Sequence, residues 1–320
     1  MAKKRITGAT RIRRAIKEAR SDWLAYTRTQ EREIFELFAT SASNIISQIE
    51  VFQKAGKVPP ARLNFLLGNL LDEMRVLRPK IAATFERGMK ESVHRGITAG
   101  HRAAEAAVKA GRRIKIGIGT SYIDKAGVVQ KYDNKVERYA DSVWAKVHTA
   151  AVDAVMRFRP GGLTFAESVW DITYQAERAI RRAINVAVVT GRSASALSRD
   201  IRGFLSEPDK LFRRVRDPRG RLRLSRAARA YHPGTGVYRS SYKNAMRVAR
   251  SELNRAFREG QIRYARKKPW IKEIIWHRGS SVRCDECDDL DGNSYPVSEV
   301  PDTPHPACMC WLETVVIGSK

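Results

Sequence analysis

Cysteine is absent from the first 283 of the 320 residues. That absence excludes a disulfide-stapled body and fits folding in a reducing cytosol. Long apolar runs are missing too. No stretch of ~18 consecutive apolar residues occurs, so the sequence offers no membrane-spanning helix. The basic start, Met1 to Arg14, is not followed by the apolar core of ~7–15 residues that a secretory leader carries. Acidic residues are scarce: 34 Asp plus Glu stand against 60 Lys plus Arg, for a net charge of +26. Such an imbalance predicts a polyanionic partner, a nucleic acid or an acidic protein surface. Signatures of several enzyme classes are missing as well. There is no Walker phosphate loop and no Gly-x-Ser-x-Gly elbow, and Gly117-Ile118-Gly119 lacks the third glycine of a dinucleotide fingerprint. The His-x-Glu of zinc deaminases is absent. His232, Glu252 and His277 read as structural residues, and the expectation is a protein without catalytic activity.

What is present is helical periodicity. Hydrophobic residues make up 43% of the chain, an ordinary share for a globular protein. Ile12, Ile16, Trp23 and Leu24 give a basic amphipathic helix over 10–28, read as packing against another helix rather than against a membrane. Ile34, Phe38, Ile45, Ile49 and Phe52 recur at helical spacing, and Lys57-Val58-Pro59-Pro60 forms a break. Leu63, Leu67, Leu70, Met74, Leu77 and Ile81 form a heptad seam that continues with a drift through Phe85, Met89, Val93 and Ile97. Pro79 is predicted to kink or split that helix. Glycines interrupt 111–127, where Ile114, Ile116 and Ile118 alternate like a short strand. Further helices carry Val136 to Phe158, Phe165 to Ile184 and Leu197 to Leu205. The fold class expected is mainly α: an elongated helical body over 1–206 and a small C-terminal α+β, zinc-bound module.

Between them, 207–239 reads as a basic hairpin and linker. Asp217-Pro218-Arg219-Gly220 is a turn sequence, flanked by Val215 on one side and by Leu222 and Leu224 on the other. Arg213, Arg214, Arg216, Arg219, Arg221, Arg223, Arg226 and Arg229 crowd it, opposed by Asp217. Guanidinium forks suit phosphate oxygens, so these eight are the candidate contacts to double-stranded DNA, independent of sequence. A solvated loop, or docking on an acidic protein, is the plainer reading. The module over 240–320 opens with an amphipathic helix from Ser240 to Lys267, then a strand through Ile271, Ile274, Ile275 and Trp276.

All four cysteines fall in that module, with a histidine beside them. Cys284-Asp285-Glu286-Cys287 is a knuckle, two thiols able to chelate one ion across a tight turn. His305-Pro306-Ala307-Cys308-Met309-Cys310 adds three more donors. Zn2+ takes four ligands in a tetrahedron, so the five are one more than it needs, and a closed set predicts a structural ion. Which four bind is open between Cys308 and Cys310 as the last ligand beside Cys284, Cys287 and His305. Asp285, Glu286, Asp288, Asp289, Asp291, Glu299 and Asp302 lie in the same window; their spacing does not fit a calcium loop, and they read as solvated acids.

The C-terminal third resembles the phage minor head proteins related to the Mu F protein and to the SPP1 head morphogenesis protein. The residues that carry the resemblance are Ala245 to Phe257 with Arg250, Ser251, Glu252 and Asn254, then Cys284-x-x-Cys287 with Leu290-Asp291-Gly292, then Pro304 to Cys310. Ser251 stands where that family usually has threonine. The likeness covers about 240–313. It implies a minor capsid protein of a tailed phage, inside the head at the portal vertex of the virion. Its partners would be the portal protein, double-stranded DNA without sequence preference, and major capsid or scaffold proteins. It would aid procapsid assembly and DNA packaging or ejection. Arg250, Glu252 and Asn254 would be a structural motif, with the acid pairing an arginine to orient the zinc module. The alternatives are a zinc-containing nuclease, which needs an open metal position, and a nucleic-acid-binding regulator.

Overall fold

A computed structural model of the chain describes residues 8–54, 60–110, 121–123, 129–131, 134–157, 165–190, 194–212, 214–231, 237–279 and 284–316. The protein is mainly helical with a small C-terminal strand module. Its elements are α1 (Gly8–Lys54), α2 (Pro60–Lys109), β1 (Ser121–Ile123), β2 (Val129–Lys131), α3 (Asn134–Arg157), α4 (Phe165–Thr190), α5 (Ala194–Leu205), β3 (Arg214–Arg216), β4 (Leu222–Leu224), α6 (Arg226–Arg229), α7 (Ser241–Arg266), β5 (Ile271–His277), α8 (Asp285–Leu290), β6 (Ser294–Pro296) and β7 (Trp311–Val316). No described helix is long and apolar enough to cross a membrane.

The helical stripes fall in long continuous helices. The stripes over 10–28 and 34–52 belong to one helix of 47 residues. Nothing between them breaks it: Thr27 and Gln30 are buried, and the Thr27 hydroxyl donates back to the Trp23 carbonyl at 3.0 Å. At Pro79, expected to kink or split the helix, α2 is not split: it is helical on both sides. A proline inside a helix forfeits one backbone hydrogen bond and costs ~3 kcal/mol. Burial of Met74, Leu77, Ile81 and Phe85 around it offsets that cost. The strand expected through Ile114, Ile116 and Ile118 lies outside the described residues.

The chain forms two compact units. One comprises Met1–Arg28, Arg87–Phe158 and Arg250–Lys320; the other comprises Thr29–Glu86 and Arg159–Ala249. This differs from the linear division at 206 and 239, because α1, α2 and α7 each contribute to both units.

In the unit holding both termini, Ile12, Ile16 and Trp23 of α1, Met89, Val93 and Ile97 of α2, and Leu253 and Phe257 of α7 are buried. Trp23 stacks on Phe257 with centroids 4.8 Å apart and donates its indole N–H to Ser92 at 3.2 Å. Helices α2 and α7 meet backbone to backbone. A Cβ on Gly260 would lie 2.3 Å from the Val93 oxygen, and one on Gly96 would lie 2.0 Å from the Phe257 oxygen. The same unit carries an antiparallel sheet of order β6-β5-β7, with Ile274 opposite both Tyr295 and Thr314. Ile271, Ile274 and Trp276 of β5 are buried. In the other unit the heptad residues Leu70, Met74, Leu77 and Ile81 are buried, as are Ile172, Ala176 and Ile180 of α4 and Leu197, Ile201 and Leu205 of α5.

Gly260→Ala should therefore destabilise the protein by about 1–3 kcal/mol, the usual range for overpacking. Gly68→Ala, where an added Cβ meets nothing within 4 Å, should stabilise it by about 0.5–1 kcal/mol through helix propensity. Urea midpoints at unchanged m-value check both.

Candidate metal centre and arginine hairpin

The knuckle sits at the start of a helix. Cys284 precedes the first turn of α8 and Cys287 lies within it, and the Cys284 carbonyl accepts the Asp288 N–H at 2.9 Å. Arg278, just past β5, fixes α8 from outside: its side chain donates to Asp288 at 2.5 Å and its backbone N–H to Asp291 at 2.8 Å. The second ligand segment is a tight loop in which Ala307 adopts φ 58. That left-handed conformation is strained for a residue with a Cβ. The loop is held there by its neighbours, since the Ala307 N–H donates to the Ser251 hydroxyl at 2.7 Å.

The two segments bring all five donors together. Cys284, Cys287 and His305 form one cluster and Cys287, Cys308 and Cys310 another, each with its ligand atoms within 4.8 Å of one another. Cys287 belongs to both. Its sulfur lies 3.0 Å from Nε2 of His305 and 3.9 Å from the sulfur of Cys308. Two thiolates on a tetrahedral zinc, each ~2.3 Å from it, are ~3.8 Å apart. The imidazole is oriented as well. Nδ1 of His305 lies 2.9 Å from the Pro306 carbonyl, which calls for the proton on Nδ1 and leaves the Nε2 lone pair toward Cys287. This cluster can hold a metal ion, and its donor chemistry suits a thiophilic one.

Electrostatics agree with that fit. Cys287, Cys308 and Cys310 are buried, and Cys284 is half-buried. Burial pushes the Cys287 thiol up to about 12. Cys308 is raised because its thiol donates to Cys310, and burial adds to this. Cys310 is lowered, first by that bond from Cys308 and, against burial, by the backbone N–H of Gly279. Gly279 must be glycine at this approach, because a Cβ there would lie 1.6 Å from the Met309 oxygen. Without a cation, gathering several thiolates here is costly, and a divalent ion removes that cost.

Helix α7 carries the loop. The Asn254 amide donates to the carbonyls of Cys308 at 2.8 Å and Cys310 at 3.2 Å. Glu252 is buried and pairs with Arg255, whose guanidinium also donates to the Val155 carbonyl at 3.1 Å. Burial raises the Glu252 carboxyl, against the pull of Arg255. The acid thus has its arginine, but the residues that grip the cysteine loop are Asn254 and Ser251. The sequence reading missed Ser251 and Arg258. Their spacing was a usable signal, since 251, 254 and 258 fall on one helix face. From α1, Arg20 donates to the Met309 carbonyl at 3.1 Å. Glu313 of β7 accepts from Arg13 at 2.9 Å and lies 2.6 Å from Nε2 of His277. Burial works to raise this carboxyl, yet those hydrogen bonds hold it below its usual range. Asp285, Glu286, Asp289, Asp291, Glu299 and Asp302 are exposed, in keeping with solvated acids.

The basic hairpin forms in the other unit. Strands β3 and β4 pair antiparallel with Val215 opposite Arg223. Asp217 closes the turn. One carboxylate oxygen accepts the backbone N–H groups of Arg219 and Arg221 at 2.9 Å, and the other accepts the side chains of Arg221 at 3.2 Å and Arg223 at 2.7 Å. These bonds, led by the Arg221 N–H, lower the Asp217 carboxyl. Arg216 donates to the Gly220 carbonyl at 2.7 Å. Arg214, Arg216, Arg219, Arg221, Arg223, Arg226 and Arg229 are all exposed; Arg213 lies outside the described residues, as does the loop 232–236.

Cys287→Ser removes the donor common to both clusters. Full-length variant protein should carry no stoichiometric metal by elemental analysis, and 270–315 should become sensitive to limited proteolysis. Far-ultraviolet circular dichroism of the helices should stay near wild type. Asn254→Ala should retain the ion about 10–100-fold more weakly, the range for lost support of a ligand.

Compared with known proteins, the chain matches no family model, no curated protein and no solved structure.

Proposed function

We propose that this protein is a non-enzymatic assembly component of a tailed-phage head. It would lie inside the capsid near the portal, with a structural Zn2+ and a sequence-independent grip on packaged DNA. One observation carries the reading. The three segments that resemble the minor head proteins, around 250–254, 284–292 and 304–310, converge on one centre, and Asn254 and Ser251 tie them together. Residues scattered over some sixty positions of sequence thus serve one local structure, as a real motif requires. Five donors around Cys287 favour a saturated ion, which leaves no coordination position for water activation. A portal gene adjacent to the coding sequence is the expected genomic context, and its absence would count against the assignment.

The DNA contact is assigned to the exposed hairpin. Arg216, Arg221 and Arg223 are engaged by the turn itself. Arg214, Arg219, Arg226 and Arg229 are then the best placed for phosphates, and each phosphate neutralised releases condensed counterions. Four contacts predict a log–log salt slope near −4 on duplex DNA, about −0.9 per contact. Replacing Arg214, Arg219 and Arg226 together with alanine should flatten the slope by about 3. Random and phage-derived duplexes should bind alike, because phosphates carry no base information. Equal slopes for wild type and the triple variant would clear the hairpin of DNA contact and point to an acidic protein surface instead.

A further inference from the structure

One face of α4 turns two aromatic rings to solvent. Trp170 is 47% exposed and Tyr174 is 37% exposed, while Val169, Ile172 and Thr173 between and beside them are buried. Trp170, Tyr174 and Arg178 follow at four-residue steps, which makes them one stripe along the helix. The two rings stack, with centroids 4.7 Å apart and planes 15° apart. A guanidinium lies over each ring. Arg78 of α2 is 5.8 Å from the Trp170 centroid, and Arg178 is 5.8 Å from the Tyr174 centroid. Both distances fall within the ~6 Å at which a cation and a ring attract. All four residues belong to the same compact unit. The stack is anchored at its root. Nε of Arg78 donates at 3.0 Å to the hydroxyl of buried Thr173, which itself donates to the Trp170 carbonyl at 2.9 Å.

A single exposed tryptophan calls for no explanation. A pre-ordered stripe of Trp, Tyr and Arg does, because binding energy at protein interfaces concentrates on those three residue types. The polar groups it presents are donors: the indole N–H, the phenol O–H and the guanidinium nitrogens. Among the described residues neither Arg78 nor Arg178 meets a carboxylate. The acids of α4 are engaged elsewhere, Asp171 by the Gln175 amide at 2.8 Å and Glu177 by Arg181 at 3.4 Å. Three occupants can be compared. A nucleobase would have to displace a stacking partner, since each ring already has a neighbouring ring and a guanidinium. A second copy laid face to face would set guanidinium against guanidinium. A protein segment carrying both carboxylates and apolar side chains meets every need. Its acids fill the guanidinium forks and the electropositive ring edges, and its apolar groups cover the rings. We propose that Arg78, Trp170, Tyr174 and Arg178 form the docking surface for a short acidic, apolar-bearing segment of a partner protein. The inference is independent of the metal centre and of the hairpin.

The test titrates the full-length chain against three labelled probes by fluorescence anisotropy. They are a short peptide of Asp, Glu, Leu and Phe, the same peptide with Lys for its acids, and a single-stranded oligothymidylate. Wild type should bind the acidic peptide and not the basic one. Trp170→Ala and Arg178→Glu should each weaken the acidic peptide by at least about 10-fold, the loss expected at a hot spot. Arg14→Glu makes the same change of charge on an exposed side chain of the other unit. It should weaken binding by less than about 5-fold, because a remote surface charge is screened. Oligothymidylate should bind wild type and Trp170→Ala alike. Equal losses in Arg178→Glu and Arg14→Glu would reduce the effect to overall charge and overturn the proposal. So would an acidic peptide that fails to bind wild type or is indifferent to Trp170→Ala. Loss of oligothymidylate binding in Trp170→Ala would assign the stripe to nucleobases instead. Self-association of wild type that Trp170→Ala abolishes, read by sedimentation, would assign it to a second copy; either result overturns the proposal.

Discussion

The carbonyls of Cys308 and Cys310 converge on the side-chain amide of Asn254, and the C-terminal module depends on that convergence. A loop presenting His305, Cys308 and Cys310 must turn tightly, and its left-handed residue, Ala307, resists that shape. Left alone, such a loop samples many conformations, and metal binding would have to select one of them. Two hydrogen bonds from Asn254 and one to Ser251 fix it on a helix that is itself locked against α2 at Gly96 and Gly260. The order of construction is then clear. Close helix packing sets α7, α7 sets the loop, and the loop meets the knuckle of α8 at Cys287.

Polar groups on buried helix faces usually weaken a protein, because water is lost and seldom fully replaced. Here Ser251, Asn254 and Arg258 replace it with three different partners: a backbone N–H, two backbone carbonyls, and a carbonyl with an aromatic face. The Glu252–Arg255 pair beside them does something simpler. It satisfies two buried charges and reaches the Val155 carbonyl. The division of labour separates residues that shape the ligand loop from residues that merely survive burial near it.

Much of this could be read from the chain itself. The apolar stripes of α2 from Leu70 onward, of α4 from Val169 onward and of α5 are buried where their periodicity placed them, and the hairpin around Asp217 to Gly220 has the turn its residues prescribe. The five donors, in two short segments separated by 18 residues from Cys287 to His305, are legible as one cluster because cysteine occurs nowhere else. Other features were hidden for physical reasons. The continuity of α1, and of α2 across Pro79, depends on burial energy that outweighs local propensity. The grouping into two units arises from helices long enough to contribute to both, which no local signal announces. Arg258 is one basic residue among sixty in the sequence, and only its burial over Trp276 distinguishes it.

The clasp at the hairpin tip has one further consequence. A loop that becomes ordered only on touching a partner bears the entropy of ordering at that moment, and association slows accordingly. Asp217 ties four donors within seven residues, so this loop has its shape before any encounter. Long-range attraction then acts on a surface already competent to dock. If the hairpin takes phosphates as proposed above, ionic strength would be felt first in how fast a polyanion is captured, and only afterwards in how long it is kept.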